Sequence, residues 1–357
     1  DNSSNMPSLD RIIKDIQPLD EEMMRKAQMH LDNLTKPQGS LGRLEELSKK
    51  VAGIKRDLKP KIKRKLIFTF ASDHGIASRG VSAFPQEVTT QMVHNFLTGG
   101  AGINVLARHV GAKVRVVDVG VASELENEKL INKKISYGTK DFSFGLAMSR
   151  EDAISSINIG IEVLERELEK GIDVVGAGDM GIGNTTPSSA ILSVLSGKPA
   201  REICGRGTGI DDYVFERKIS LIKKGIKINS PNPKDPIDVL SKVGGFEIGA
   251  ITGLTLASAY HKIPVVLDGF ISTAGALIAY KLSPQARDYM IASHLSSERG
   301  HALMLKIMNL KPLLDLNLRL GEGTGAALGI FILEASVKIL TEMATFEGAQ
   351  VSREVIS

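Results

Sequence analysis

The chain has 357 residues, a net charge of +4 and one cysteine, Cys204. Hydrophobic residues make up 42% of it and charged residues 24%, which is ordinary for a globular protein with a sizeable core. A single cysteine excludes an internal disulfide and suits a reducing cytoplasm. The basic run 55–65 has no interleaved aromatic residues, so we interpret it as a solvated connector and not as a nucleic-acid surface. The apolar stretch 328–340 is interrupted by Glu334 and Lys338 and is too short to predict a membrane span.

The first fifty residues have a helical pattern. Asp20 is placed to cap a helix through 23–31, and Ser40 is placed to cap a second helix whose apolar residues within 41–51 share one stripe. The segment 35–39 contains proline and glycine and separates the two helices.

From residue 65 the pattern changes to short apolar runs that end in glycine-rich or polar loops. These runs predict strands at 66–70, 114–119, 173–175 and 264–267. Helical stretches separate or follow them, at 86–107, 150–170, 187–195 and 212–227. This alternation predicts an α/β fold with a mostly parallel sheet and helices on both faces. The tail from about residue 328 returns to a helical pattern, which we expect to pack with the N-terminal helices.

Three loops join glycine to threonine, at 181–186, 205–209 and 321–325. Glycine lets backbone amides approach an anion, and threonine adds a hydroxyl donor at a helix start. One such loop is as typical of a tight turn as of a site. Three of them at predicted strand ends favour a ligand that carries phosphate, because ligands of parallel sheets bind at the carboxyl ends of the strands.

The segment 176–181 offers an alternative, because it matches the dinucleotide fingerprint G-x-G-x-x-G and follows a predicted strand. It would indicate an NAD-dependent oxidoreductase. Two features oppose this interpretation: Thr185 and Pro187 indicate that the helix begins well after the third glycine, and two strands precede the motif.

The histidines do not favour a metal site, because none of the seven shares a helical ligand spacing with another across an acid. We interpret Asp73, His74 and His294 as residues that orient loops through hydrogen bonds. The sequence therefore predicts neither a metal nor a cofactor.

Glu322 is the unusual acid of the chain. It lies between two glycines, Leu320 stands two positions before it, and the nearest basic residue is Arg319. In a dry pocket its carboxylate would have a raised pKa and would suit a general base. The same residue would also suit a helix-start acid bonded to backbone amides, because Thr324 and Gly325 precede an apolar helix. The local pattern leaves both interpretations open.

Many motifs in one order resemble the nicotinate-nucleotide:dimethylbenzimidazole phosphoribosyltransferase family, over nearly the whole chain. They lie at 36–44, 71–75, 85–91, 180–186, 205–209, 267–270, 293–296 and 319–325. The resemblance implies a large Rossmann-like catalytic domain at 60–320 and a small helical domain built from 1–59 and 321–357. It also implies a homodimer. Some relatives of this kind form heterodimers of two paralogues and accept phenols, so a paralogous subunit is an alternative.

The resemblance further implies a reaction and the residues that perform it. The phosphoribosyl group of nicotinate mononucleotide would pass to 5,6-dimethylbenzimidazole or a related lower-ligand base, giving α-ribazole 5′-phosphate and nicotinate in cobalamin biosynthesis. Glu322 would be the general base, with Asp179 and Lys218 close to the reacting atoms. The acceptor would contact Phe84, Gln91, Met180 and Leu320. The nucleotide would contact Gly181, Gly183, Asn184, Thr185, Gly207, Thr208, Gly209 and Ser296.

Two positions depart from the family pattern. Asp179 stands where the family usually has glutamate, which shortens the side chain by one methylene. Phe84 is bulkier than the small residue that some relatives carry, so we expect it to reshape the acceptor pocket.

Overall fold

A parallel β-sheet lies at the centre of the molecule. The computed structural model describes residues 6–205 and 209–355. Within these ranges the strands are β1 (Lys65–Ser72), β2 (Lys113–Gly120), β3 (Ile131–Asn132), β4 (Val174–Met180), β5 (Val265–Leu267) and β6 (Met290–Ala292). They pair in the order β3-β2-β1-β4-β5-β6, and every pairing is parallel.

Helices precede, connect and follow these strands. They are α1 (Leu9–Asp15), α2 (Glu21–Asp32), α3 (Arg43–Lys55), α4 (Val88–Thr98), α5 (Gly102–Val110), α6 (Arg150–Glu165), α7 (Thr185–Ser196), α8 (Ala200–Ile203), α9 (Asp212–Asn229), α10 (Pro236–Val243), α11 (Phe246–Tyr260), α12 (Phe270–Leu282), α13 (His301–Ile307), α14 (Thr324–Glu342) and α15 (Phe346–Ala349). Turns of 3-10 helix lie at Gly75–Arg79, Leu168–Lys170 and Pro284–Tyr289.

Helices cover the sheet on both faces. Successive side chains of a strand point to opposite sides, so the apolar residues of one strand contribute to a core on each face. Leu66 and Phe68 of β1 lie in one hydrophobic core together with residues of α6, α11 and α12. Ile67 and Ala71 of the same strand lie in a second core with residues of α3, α5 and α14. The predicted α/β fold with helices on both faces is confirmed.

The strand order creates a crevice between β1 and β4. After β1 the chain builds β2 and β3 on one side, and it then crosses to build β4, β5 and β6 on the other. In this order, which is that of the Rossmann fold, ligands bind at the carboxyl ends of the two strands where the direction reverses. Thr69 lies opposite Gly178 in the register of these strands, three residues before β1 ends at Ser72.

The two predicted N-terminal helices exist, but only one has the predicted cap. The Asp20 side chain accepts a hydrogen bond from the backbone N–H of Met23 at 2.9 Å, as expected. The prediction for Ser40 was wrong, because α3 begins three residues after it. The N-cap of α3 is Gly42, which makes no side-chain cap bond, and the Glu45 carboxylate accepts the backbone N–H of Leu41 just before it at 2.8 Å.

The helix predicted at 86–107 is two helices, α4 and α5. Gly99 ends α4 with φ +85°, a left-handed conformation that continues no helix. The strands β3 and β6, of two and three residues, were not predicted because so short a run shows no periodicity.

Helix α14 has 19 residues and is therefore longer than the apolar stretch expected from the sequence. In the described part of the chain it is the one helix long and apolar enough to cross a membrane. Its Ala326 and Ile330 are buried against the sheet, and the Ser48 hydroxyl of α3 donates to the Ser336 carbonyl. The apolar length of α14 thus serves the core. Helix α14 contacts both α3 of the predicted small domain and the sheet of the predicted large domain. These contacts do not mark a division near residue 320, and the domain boundary there stays a prediction.

Helices α6 and α11 touch through glycines, which gives a test of the core. A Cβ on Gly253 would lie 1.8 Å from the Ile157 carbonyl oxygen, and a Cβ on Gly160 would lie 1.9 Å from that of Ala250. We expect Gly253→Ala to lower the free energy of unfolding by about 1–3 kcal/mol, because the helices must separate. Urea denaturation measures this. The control is Gly145→Ala, where a Cβ meets nothing within 4 Å, and an equal loss there would contradict the prediction.

Candidate active site

The loop 321–323 lies over the crevice between β1 and β4. The Thr69 hydroxyl donates to the backbone carbonyl of Glu322 at 2.8 Å, and the Glu322 N–H donates to the backbone carbonyl of Asp179 at 3.2 Å. Gly178 leaves the space for this contact, because a Cβ there would lie 2.2 Å from the Glu322 carbonyl oxygen. The loop is therefore bound to both central strands, at the place where the topology predicts a ligand.

The backbone of this loop is left-handed at three successive residues. Gly321, Glu322 and Gly323 have φ angles of +83°, +66° and +105°. This conformation costs a non-glycine residue roughly 1–2 kcal/mol, whereas glycine adopts it freely. Glu322 is thus held in a strained conformation by the hydrogen bonds of the loop. The Oε1 of its side chain accepts the backbone N–H of Ile103 at 3.2 Å.

A different residue is the helix-start acid of α14. Asp268, which directly follows β5, accepts the backbone N–H groups of Gly325 at 2.7 Å, Gly323 at 3.0 Å and Ala326 at 3.1 Å. Asp268 belongs to the motif at 267–270, for which the sequence predicted no role. Because Asp268 occupies the amides at the start of α14, Glu322 does not cap this helix.

Burial dominates the ionisation of the acids in the site. Glu322 is 4% exposed, and burial raises its pKa to about 7 against the opposing hydrogen bond from Ile103, with a further increase from the nearby Asp268. Burial also raises the pKa of Asp179 well above its usual range, and the charge of Asp268 adds to this. The amide of Asn184, which donates to Asp179 at 2.9 Å, opposes the increase. With a pKa of about 7, Glu322 therefore exchanges its proton readily near neutral pH, and burial shifts the pKa of Asp179 in the same direction.

Two adjoining cavities open at the crevice and share the residues Asp179, Asn184, Thr185 and Leu320. The larger has a volume of about 260 Å³, and Glu322 lies in its wall among apolar side chains that include Val81, Val88, Met92 and Ile182. The smaller has a volume of about 80 Å³, and its wall includes Gly269, His294, Ser296, Arg319 and Thr324. The shared residues mark the place where a group bound in one cavity meets a group bound in the other.

Three of the four predicted acceptor residues line the larger cavity. Met180 lies in its wall, and Phe84 and Leu320, which are 53% and 61% exposed, lie at its mouth. Gln91 does not line it and is exposed to solvent. The next residue of α4, Met92, takes that place, because the helix turns Gln91 outward.

The predicted nucleotide residues divide between the two cavities. Gly181, Gly183, Asn184 and Thr185 line the larger cavity, and Ser296 lines the smaller. Gly209 lines neither, and Gly207 and Thr208 lie outside the described residues. Helix α7 begins at Thr185, and its N-cap Asn184 makes no side-chain cap bond. The N–H of Thr186 is bonded to the Gly183 carbonyl at 3.1 Å and Pro187 has no N–H, so Thr185, which lines both cavities, is the residue of this helix start placed to offer an N–H to an anion.

Lys218 lies behind this helix start and lines neither cavity. Its Nζ donates to the Thr185 hydroxyl at 2.8 Å and to the Gly205 carbonyl at 3.2 Å. Burial lowers the pKa of Lys218. Because the Thr185 oxygen accepts from Lys218, the hydroxyl keeps its own proton for a further acceptor.

The glycines of the dinucleotide fingerprint make contacts within the protein. Gly176 packs against α14, Gly178 lies under the Glu322 loop, and a Cβ on Gly181 would lie 2.4 Å from Glu247 Oε2. Glu247 and His74 form a buried pair at 2.5 Å, which confirms that His74 orients a loop and adds a partner that the sequence did not reveal. Burial lowers the pKa of His74, but the Glu247 carboxylate outweighs burial and raises it.

His294 is a second buried histidine of the site. Its Nε2 lies 3.9 Å from Asp268 Oδ1, and its Nδ1 has no hydrogen-bond partner in the described part of the chain. Among residues 6–205 and 209–355, no three His, Cys, Asp or Glu side chains are grouped to hold a metal ion.

The raised pKa of Glu322 has a thermodynamic consequence. Its pKa is about 7 in the folded protein, against 4.5 for an unperturbed glutamate in the unfolded chain, so the folded state binds the proton more tightly. The Glu322 contribution to stability is therefore present below pH 4.5 and is lost as pH rises to about 7. We expect Glu322→Gln to remove this loss. The free energy of unfolding of the variant relative to the native protein should thus be about 2–3 kcal/mol higher at pH 8 than at pH 5.

Urea denaturation of both proteins at the two pH values measures this difference. Glu128→Gln, at an exposed loop position, serves as the control and should show no such trend. A pH-independent difference between Glu322→Gln and the native protein would contradict the raised pKa.

Comparison with known proteins confirms the resemblance seen in the motifs. The family model described as phosphoribosyltransferase matches residues 16–351. A relative from Desulforudis audaxviator is 56% identical over 349 residues, which cover 98% of this chain and 99% of that protein. A relative from Citrifermentans bemidjiense is 57% identical over 348 residues, with 97% and 99% covered. Both are named nicotinate-nucleotide–dimethylbenzimidazole phosphoribosyltransferase.

Solved structures from Thermus thermophilus agree with this match. One, titled as the same phosphoribosyltransferase, has a TM-score of 0.89 at 42% identity and covers 94% of this chain and 100% of its own. Another, titled CobT, has a TM-score of 0.90 at 43% identity, with 93% and 100% covered. The chain therefore belongs to the nicotinate-nucleotide–dimethylbenzimidazole phosphoribosyltransferase family.

Proposed function

We propose that the protein transfers the phosphoribosyl group of nicotinate mononucleotide to 5,6-dimethylbenzimidazole or a closely related base, with Glu322 as general base. The products are α-ribazole 5′-phosphate and nicotinate. One observation carries the role of Glu322: its side chain is buried in the wall of the larger cavity and does not cap α14, because Asp268 accepts the amides there. The names of the relatives support the reaction.

The chemistry matches the groups that the site offers. A ring nitrogen of the benzimidazole bonds to C1′ of the ribose as the bond from C1′ to nicotinate breaks, and nicotinate leaves with the bonding electrons as a neutral pyridine. The other ring nitrogen of the acceptor loses its proton to Glu322. Positive charge develops on the ribose in the transition state, and the ionised carboxylate of Glu322 in the cavity wall stabilises it electrostatically.

The two cavities suit the two substrates. The larger, with Met180 and Leu320 in its wall, takes the flat apolar acceptor beside Glu322. The nucleotide phosphate lies near Ser296 and Thr185 at the start of α7, where the Thr185 hydroxyl has its proton to donate. Lys218, directly behind Thr185, adds positive charge to this phosphate site. Binding both substrates across the shared residues brings the attacking nitrogen to C1′.

The protein acts as a homodimer in this proposal, in agreement with the family resemblance. Val105 in α5, Leu320 before α14 and Phe331 in α14 are more than half exposed, and a subunit contact would bury such apolar side chains. A heterodimer with a paralogue remains the alternative, and light scattering of the purified chain distinguishes the two. The cytoplasmic location rests on the single cysteine and stays a prediction.

Removal of the proposed base tests the function directly. We expect Glu322→Gln to lower turnover of nicotinate mononucleotide with 5,6-dimethylbenzimidazole by about 100- to 10,000-fold, because a positioned general base contributes that much. Binding of nicotinate mononucleotide, measured by calorimetry, should change little. Glu128→Gln is the control and should keep the native rate. Native turnover in Glu322→Gln would refute the base, and product only with phenols would refute the acceptor.

The pH dependence of the native enzyme gives an independent test. Only the ionised form of Glu322 accepts a proton, and its pKa is about 7. We therefore expect kcat/KM to rise about tenfold per pH unit below pH 7 and to level off above it. Rates between pH 5 and pH 9 measure this, and a flat profile across that range would contradict the assignment.

A further inference from the structure

We propose that Asp268 is a positioning residue of this site, which fixes the loop that carries Glu322 and sets the pH range in which Glu322 is ionised. This inference rests on the proposed role of Glu322 as general base. It gives a function to a buried acid that touches neither cavity wall but stands directly behind the loop.

The geometry around Asp268 is that of a rigid support. Its two carboxylate oxygens accept three backbone N–H groups at the start of α14, at distances of 2.7, 3.0 and 3.1 Å. Its own backbone is fixed on both sides, because its N–H donates to the Ser272 hydroxyl at 2.8 Å and its carbonyl accepts from the Ser293 hydroxyl at 3.3 Å. Asp268 thereby ties the loop to α12 and to the end of β6.

The loop needs this support on the side of the helix. Gly323 is the N-cap of α14 and has no side chain to accept an amide, so the acceptor must come from another element. The bonds of Thr69 and Asp179 hold the backbone of Glu322 from the side of the strands. Asp268 holds the next residue, Gly323, from the opposite side. Without Asp268, the loop would keep the hydrogen bonds of Glu322 with the two strands but would lose the bond that holds Gly323.

The charges around Glu322 make Asp268 the group that adjusts its ionisation. Asp268 faces Glu322 from the end of β5, and Asp179 faces the loop from β4. His294, after β6, faces Asp268, and Glu247 of α11 faces Asp179 and is paired with His74. Burial raises the pKa of Asp268, against the opposing effects of His294 and of the three amide donors at the helix start. In its ionised form Asp268 opposes ionisation of Glu322. Loss of that charge lowers the pKa of Glu322.

The test is Asp268→Asn in the full-length enzyme, assayed with nicotinate mononucleotide and 5,6-dimethylbenzimidazole from pH 5 to pH 9. Asparagine keeps the shape but removes the charge and one acceptor. We expect kcat to fall about 100-fold through displacement of Glu322, with a much smaller change in KM for the nucleotide. The midpoint of the acidic limb should move to lower pH. Asp268→Glu, which keeps the charge but not the geometry, should lower kcat and leave the midpoint in place.

A merely structural role would not move the midpoint, and Asp118→Asn is the matched control. Asp118 is buried at the end of β2, and its Oδ1 accepts the backbone N–H groups of Gly120 at 3.0 Å and Val121 at 2.9 Å. Its replacement should lower stability without moving the midpoint. A native midpoint in Asp268→Asn, or the same shift in Asp118→Asn, would overturn the proposal.

The failure of this proposal is distinguishable from failure of the general base. Native turnover in Glu322→Gln would sink the proposed base, whereas a slow Glu322→Gln beside a native midpoint in Asp268→Asn would sink the role of Asp268 alone. If Asp268→Asn does not fold, Ser272→Ala loosens Asp268 without changing its charge. That variant should lower kcat at an unchanged midpoint, and native kcat in it would count against the positioning role.

Discussion

The site depends on where the amides at the start of α14 find their acceptor. Helices usually take it from the preceding residue, as α2 does from Asp20 and α9 from Asp211. Helix α14 is preceded by Gly323 and takes its acceptor from Asp268, 55 positions earlier. This long-range cap leaves the nearest acid, Glu322, with a single backbone donor from α5. The hydrogen bonds at the start of α14 thus give Asp268 a role in supporting the fold and leave the carboxylate of Glu322 able to exchange a proton.

Burying several carboxylates in one region is unfavourable unless each has a partner, and the partners here are unequal. Asp268 has three amides, Glu247 has His74, and Asp179 has the amide of Asn184. Glu322 has the Ile103 amide alone and a pKa of about 7. Environments that push neighbouring acids apart in pKa are what acid–base chemistry at neutral pH requires. The left-handed backbone at Glu322 is held by its hydrogen bonds with Thr69 and Asp179, in keeping with strain stored at functional sites.

The sequence predicts well what local periodicity determines. It indicated the strands β1, β2 and β4 and the helices between them, because a short apolar run that ends in a glycine-rich or polar loop, or an apolar helical stripe, is visible within each element. It missed β3 and β6, which are too short to show a period. The glycines around Glu322 identified the residue, but the choice between base and helix-start acid depended on Asp268, and no local pattern reports that distant contact. Gln91 was placed in the cavity by the family resemblance, whereas the structure leaves it exposed to solvent and has Met92 of the same helix in the wall.

The glycines at 176, 178 and 181 show why a local motif leaves its partner undetermined. Glycine at these spacings removes side chains from the end of a central strand, so that another backbone or a phosphate can approach. In a dinucleotide site the cofactor's pyrophosphate fills that space. Here the chain's own loop fills it: the Glu322 carbonyl lies where a Cβ on Gly178 would have to be, and α7 begins only at Thr185. The pattern that resembles a cofactor fingerprint is therefore what lets Glu322 lie between β1 and β4, in the wall of the larger cavity.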